Sequence, residues 1–277
     1  MAYKIIGDSC TDLTKEMKEE GLVNLVPLTL TIENEDFVDD ETFAQKVFID
    51  KMKESENCPK SACPSPERYM REFEKEAECF VVTLSSKLSG SFNSALLAKN
   101  MFQEEHPEAK IEIVDSRSAS CGQMLIALKI KELKEKGLSF EEVKQKISNF
   151  RDNLQTKFVL ESLENLRKNG RLTNVAAMIC NVLNIKPVMG AKEGEIIKLD
   201  QVRGITRALQ RMVEYIEKDA KDVTTKILGI AHCNNRERAE FVKHEILKKI
   251  PFKDCIIVDT AGVSTLYAND GGIIVSY

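Results

Sequence analysis

The chain has 277 residues, 43% of them apolar and 30% charged, with a formal net charge of −4. That balance fits one large or two ordinary packed domains; it excludes a disordered chain and argues against a nucleic-acid partner. No apolar run nears the roughly 20 residues of a membrane span, and Met1-Ala2-Tyr3-Lys4 enters a strand pattern with no export signal, so a cytoplasmic protein is expected.

Short runs rich in Val and Ile alternate with helical periodicity, the pattern of an α/β protein. The first strand is predicted at Tyr3–Gly7 and the second at Asn24–Thr31. The polar, acidic segment 33–62 reads as an excursion from the first sheet carrying a helix at Glu41–Lys53. Strands follow at Cys79–Leu84 and Lys110–Val114, with a helix between them at Ser91–Phe102, where Phe92, Ala95, Leu96 and Lys99 recur at helical intervals. Gly137 ends one helix and Ser139-Phe140-Glu141-Glu142 opens the next with a capping box. The long helical stretch 119–153 closes an N-terminal domain, 1–155; the seam near Phe150–Phe158 starts a C-terminal α/β domain, 156–277. Strands in that second domain are predicted at Lys157–Leu160, Ile196–Leu199, Ile227–Ala231, Cys255–Val258 and Gly272–Ser276, and a helix at Arg203–Glu217. Charge runs such as Lys131-Glu132-Leu133-Lys134-Glu135-Lys136 are solvated helix faces.

Eight cysteines, without a C-x-x-C pair, read as reduced and mostly buried thiols, since a chain of this size needs no disulfide staples. No histidine stands at zinc-ligand spacing from a cysteine pair, and no metal or other cofactor is expected.

Three apolar strands end in an acid and a hydroxyl: Gly7-Asp8-Ser9, Val114-Asp115-Ser116 and Val258-Asp259-Thr260. In an open parallel sheet ligands gather beyond the carboxyl ends of strands, so Asp8, Ser9, Asp115 and Ser116 could form a polar crevice. The plainer reading makes them caps and turn formers. A small-molecule hydrolase or phosphotransferase built on that crevice is the alternative function. Gly7-Asp8-Ser9 matches the opening of GDSL hydrolases, but their Asp-x-x-His is missing, because Gln103, Gly229 and Phe241 stand three residues before His106, His232 and His244.

The richest stretch is Thr83-Leu84-Ser85-Ser86-Lys87-Leu88-Ser89-Gly90-Ser91-Phe92-Asn93-Ser94-Ala95. A strand enters a hydroxyl-dense turn, Gly90 admits close backbone approach, and a helix N-terminus offers N–H groups to an anion. The P-loop spacing is absent. A second such loop is Pro59-Lys60-Ser61-Ala62-Cys63-Pro64-Ser65-Pro66, in which Ser61 precedes a Ser65 cap with Pro66 at the first helical position.

In order along the chain stand Asp8-Ser9, Ser61-Ala62-Cys63-Pro64-Ser65, Ser85-Ser86-Lys87-Leu88-Ser89-Gly90-Ser91-Phe92-Asn93-Ser94-Ala95, Asp115-Ser116, Gly170-Arg171-Leu172-Thr173, Ile185-Lys186-Pro187, Arg203-Gly204 and Gly271-Gly272. This collinear series resembles the DegV family. The resemblance implies a two-domain α/β DegV-type (EDD) fold: an N-terminal, mostly parallel sheet flanked by helices, plus a C-terminal domain with a mixed sheet. It also implies a carrier, not an enzyme, that holds one long-chain fatty acid such as palmitate, stearate or oleate for a separate ATP-dependent fatty acid kinase subunit. By resemblance, Ser61, Ser89 and Gly90 receive the carboxylate, and Arg171 and Arg203 face the kinase. The chain departs from the family pattern at Ala62-Cys63, where the family has Ser-Gln, and at Cys10. Asn269 replaces the family histidine, so that position can still donate a hydrogen bond to the carboxylate but cannot carry a proton near neutral pH. Apolar residues at Met124-Leu125-Ile126, Met178-Ile179, Val182-Leu183 and Val188-Met189 are candidates for the tunnel wall, with core packing as the plainer role.

Overall fold

The computed structural model describes residues 2–74, 77–173, 175 and 184–277. β1 (Tyr3–Asp8) leads through α1 (Lys15–Glu19) to β2 (Asn24–Val26), β3 (Thr29–Ile32), β4 (Glu35–Val38), α2 (Gln45–Glu54), β5 (Lys60–Ala62) and α3 (Pro66–Met70). Then come β6 (Glu78–Thr83), α4 (Ser91–Glu105), β7 (Ile111–Asp115), α5 (Cys121–Glu135) and α6 (Phe140–Asn153). The rest of the chain supplies β8 (Thr156–Val159), α7 (Glu164–Lys168), β9 (Ile185–Lys192), β10 (Glu195–Arg203), α8 (Ile205–Asp219) and β11 (Ile227–His232). It ends with α9 (Arg236–Leu247), β12 (Asp254–Asp259), α10 (Gly262–Ala268) and β13 (Ile273–Ser276).

The first sheet is parallel throughout, in the order β2-β1-β6-β7. Its strand β6 is buried at every position, because helices cover both faces; such a strand needs a continuous apolar run. The second sheet, β10-β9-β8-β13-β11-β12, is mixed, with β11 and β12 parallel and the other pairs antiparallel. A third, antiparallel sheet, β4-β3-β5, is the excursion.

Three expectations need correction. The single strand predicted at Asn24–Thr31 is two strands in different sheets, because Pro27 has no N–H to continue the ladder. The helix predicted from Arg203 starts at Ile205, with Arg203 closing β10 and Gly204 turning the corner at φ 84°. The helix predicted at Glu41–Lys53 begins only at Gln45, and the excursion also holds strands β4 and β5, which carry no alternating apolar signal. The capping box at Ser139 and Glu142 forms as read.

Helix α5 explains how the sheets join. Nine of its residues are buried, among them Met124, Ile126 and Ile130, because it packs on β1 and β6 of the first sheet and on β11 and β13 of the second. A helix apolar on most sides fits only between two layers. Close approach requires small residues at the contact. A Cβ on Gly229 would stand 3.2 Å from the Cys121 Cβ, and one on Gly122 would overlap the Ser118 hydroxyl at 2.0 Å.

Candidate functional site

A cavity lies between the second sheet, α10 and the loops that follow β6 and β7, with about 750 Å³ of empty space when its opening to solvent is included. Leu84, Leu88, Phe158, Leu160, Ile196 and Val263 supply much of its almost wholly apolar wall. The tunnel candidates fall elsewhere. Met124, Leu125 and Ile126 belong to the core between the sheets, while Val188 and Met189 are packed in the cores around β9. Met178, Ile179, Val182 and Leu183 lie outside the described residues.

At one end, Tyr267 of α10, Leu88 and Arg171 share the cavity wall. The Arg171 guanidinium donates from Nε to the Leu88 carbonyl at 3.1 Å and sits over the Tyr267 ring, 5.5 Å from its centroid. Ser61, on β5, joins the Tyr267 phenol at 2.9 Å, so its hydroxyl lies against the same ring that walls the cavity. Burial pushes the Tyr267 phenol above its usual range, and it stays protonated and able to donate.

The two hydroxyl-rich loops meet beside this end. Ser94 donates to the Pro64 carbonyl at 2.5 Å, and a Cβ on Gly90 would touch Cys63 Sγ at 3.0 Å. Gly90 caps α4, whose first amides have no intrahelical acceptor. Ser89 accepts from the Ser91 N–H and donates to the Ser91 hydroxyl, both at 3.2 Å. Ser61 and Ser89 are half-buried, and Gly90 is exposed.

The other predicted residues sit differently. Asn269 closes α10 at φ 58° and turns its amide away to α7 and its approach, accepting from Asn165 Nδ2 and donating to the Ser162 carbonyl, both at 3.1 Å. Arg203 is exposed at the end of β10. Asp115 accepts from the Ser86 and Arg117 amides and the Ser86 hydroxyl, and Ser116 bonds Ser118. Ser9 donates to Asp39 at 2.8 Å and accepts from the Leu28 amide at 3.0 Å. Asp8 is fully buried, accepting from the Leu84 amide at 2.7 Å and Gln123 Nε2 at 2.9 Å. These acids tie strand ends to loops, and neither Asp8 nor Asp115 lines the cavity.

Two acids that the sequence reading passed over hold α10 in place. Asp39 accepts from the Gly262 and Val263 amides at 2.6 and 2.9 Å, and Asp12 accepts from the Ala261 amide at 2.6 Å and from the Ser120 hydroxyl. Desolvation dominates all three buried acids: it raises Asp8 to about 6 and Asp12 to about 7, and pushes Asp39 up as well. Gln45 adds bonds to Thr260 and Thr265. The helix that carries Tyr267 is thus docked by carboxylates from the first half of the chain. Their sequence signal was faint: Asp12 stands four residues past the Asp8 turn, and Asp39 sits in an acidic run that reads as solvated.

Among the described residues, no cluster of His, Cys, Asp or Glu could hold a metal, and no helix is long and apolar enough to cross a membrane.

Several solved structures that share this architecture hold a fatty acid. A DegV family protein from Ruminococcus gnavus, solved with vaccenic acid, is 45% identical and superposes with a TM-score of 0.97 over 100% of both chains. The fatty acid kinase B3 protein of Streptococcus pneumoniae, loaded with linoleic acid, is 33% identical with a TM-score of 0.90, over 100% of this chain and 99% of that one. A DegV family protein from Eubacterium eligens, loaded with heptadecanoic acid, is 28% identical with a TM-score of 0.90 and 99% coverage of both. In sequence, a DegV domain-containing protein of Streptococcus pneumoniae is 35% identical over 281 residues, covering 100% of this chain and 99% of its own. The family model described as "Uncharacterised protein, DegV family" matches residues 2–277, and the chain belongs to the DegV family.

Proposed function

We propose that this protein binds one long-chain fatty acid in the apolar cavity and carries it, without turnover of its own, to a separate ATP-dependent fatty acid kinase subunit. The observation that carries the reading is the cavity itself, almost free of polar wall and flanked at the Tyr267 end by two hydroxyl-bearing loops. Fatty acids bound by relatives of the same fold support it. Each buried methylene contributes about 0.8 kcal/mol, so fifteen offer on the order of 12 kcal/mol before ordering costs. The carboxylate then needs hydrogen bonds, and the reading assigns them to Ser61, Ser89 and the Gly90 end of α4. Asn269 contributes indirectly, by fixing α10 against α7. Arg171 and Arg203 are both assigned to the partner surface; Arg203 is exposed, and Arg171 also borders the cavity. The reading places the protein in the cytoplasm, needs no cofactor, and treats 1–155 and 156–277 as two domains whose seam forms the site.

The test is native mass spectrometry of purified protein followed by lipid identification, with oleate titration of delipidated protein. A C14–C18 fatty acid should co-purify, and Ser61→Ala with Ser89→Ala should lower oleate affinity at least ~tenfold while the fold stays intact. Protein that is empty and ignores oleate would sink the carrier reading. Unchanged affinity in the double variant would move the carboxylate elsewhere.

A further inference from the structure

The hydroxyl pair at the Tyr267 end of the cavity has one proton left over. Ser61 Oγ and Tyr267 Oη stand 2.9 Å apart, and neither has another hydrogen-bond partner among the described residues. Between them the two hydroxyls carry two protons, and the bond that joins them uses one. The other has no protein acceptor there, at a place where Tyr267 walls an almost wholly apolar cavity. Such a pair suits a ligand group that only accepts, as a carboxylate does.

The chemistry of the two groups decides which of them keeps the free proton. A phenol is the more acidic donor and an aliphatic hydroxyl the better acceptor, so the bond runs from Tyr267 to Ser61. Burial keeps the phenol protonated. The Arg171 guanidinium over the ring, 5.5 Å from its centroid, makes the phenol O–H a stronger donor still. Ser61 belongs to the loop that meets the Ser89 loop through Cys63 and Pro64, so the free proton falls on the loop side of the pair. Asn269, two positions on, has none to offer, because its amide donates to the Ser162 and Tyr267 carbonyls at 3.1 and 3.4 Å.

We propose that Tyr267 is a positioning residue for the ligand carboxylate: its phenol donates to Ser61, fixes the rotamer of that hydroxyl and turns the Ser61 proton toward the ligand. A chain in which each hydroxyl polarises the next holds a charged acceptor more strongly than Ser61 does alone. This inference rests on the fatty-acid reading above and adds to it the residue that orders one of its donors.

The experiment is calorimetric titration of delipidated wild type, Tyr267→Phe, Ser61→Ala and the double variant with oleate and with oleyl alcohol, whose head group is uncharged. Tyr267→Phe keeps the ring in the cavity wall. It should bind oleate about tenfold more weakly, yet oleyl alcohol within about twofold of wild type, since the donor chain matters most for a charged acceptor. In the Ser61→Ala background the same change should alter oleate affinity by less than about twofold. Equal oleate affinity of Tyr267→Phe and wild type overturns the proposal and leaves the carrier reading standing. An equal loss for oleate and oleyl alcohol also overturns it, because the wall itself would have moved. So does the full loss in the Ser61→Ala background, which would make Tyr267 a direct contact. A wild type that does not bind oleate at all overturns the carrier reading, and this inference with it.

Discussion

Asp12→Asn isolates the electrostatic cost of docking α10. Asp12 is fully buried and receives the Ala261 amide and the Ser120 hydroxyl, with Cys10, Ser264 and the Asp39 carboxylate also facing it. Its carboxyl rises from 3.8 to about 7, chiefly by desolvation. The folded state therefore holds a proton that the unfolded chain has released, and stability falls as pH rises between about 4 and about 7. At 1.36 kcal/mol per pH unit, the loss attributable to Asp12 between pH 5 and pH 8 is about 3 kcal/mol. Asparagine is isosteric, can still accept from Ala261, and does not titrate. Relative to wild type, Asp12→Asn should thus gain about 3 kcal/mol on moving from pH 5 to pH 8. Urea denaturation of delipidated protein at both pH values measures this, and taking the difference between variants cancels groups of opposite sign such as His232. A gap between variant and wild type that does not change with pH would show that Asp12 ionises like a solvated acid.

Gly262→Ala should destabilise by about 1–3 kcal/mol, because its Cβ would fall 2.5 Å from Asp39 Oδ1 and 2.8 Å from Leu30 Cδ1. Denaturant melts test it, and a neutral result would mean that α10 shifts freely on its carboxylate seat. Arg203→Glu should leave oleate affinity unchanged while weakening capture by the ATP-using subunit of a fatty acid kinase in a pull-down. Equal capture of wild type and variant would remove Arg203 from the partner surface.

Most strands were legible because parallel and central strands need unbroken apolar runs, as in Cys79-Phe80-Val81-Val82. Strand β4 was not, since Glu35–Val38 lies almost wholly at the surface and has no burial to impose a pattern. The break at Pro27 was written in the sequence and outweighed there by the apolar residues on either side of it. Helix α5 shows a subtler limit. Its run Met124-Leu125-Ile126 says only that the helix is surrounded, and a packed core and a ligand wall make the same demand. Which of them it meets depends on the second sheet closing over it, a contact between residues more than a hundred positions apart.

The hydroxyl loops were readable as turns before helices from residue type alone, because serines, proline and glycine favour such turns. Tyr267 was not, since an aromatic residue in an apolar stretch looks like core until its hydroxyl is located. Asn269 joins the two lessons. As a replacement for histidine it reads as a polar group kept at the ligand, yet its amide is spent on Asn165 and Ser162. Those bonds hold the end of α10, as Asp12 and Asp39 hold its start, and Tyr267 lies between these anchors. Ser61 meets Tyr267 across the seam between the sheets, so the geometry of the proposed carboxylate mouth is set by how firmly both ends of one seven-residue helix are held.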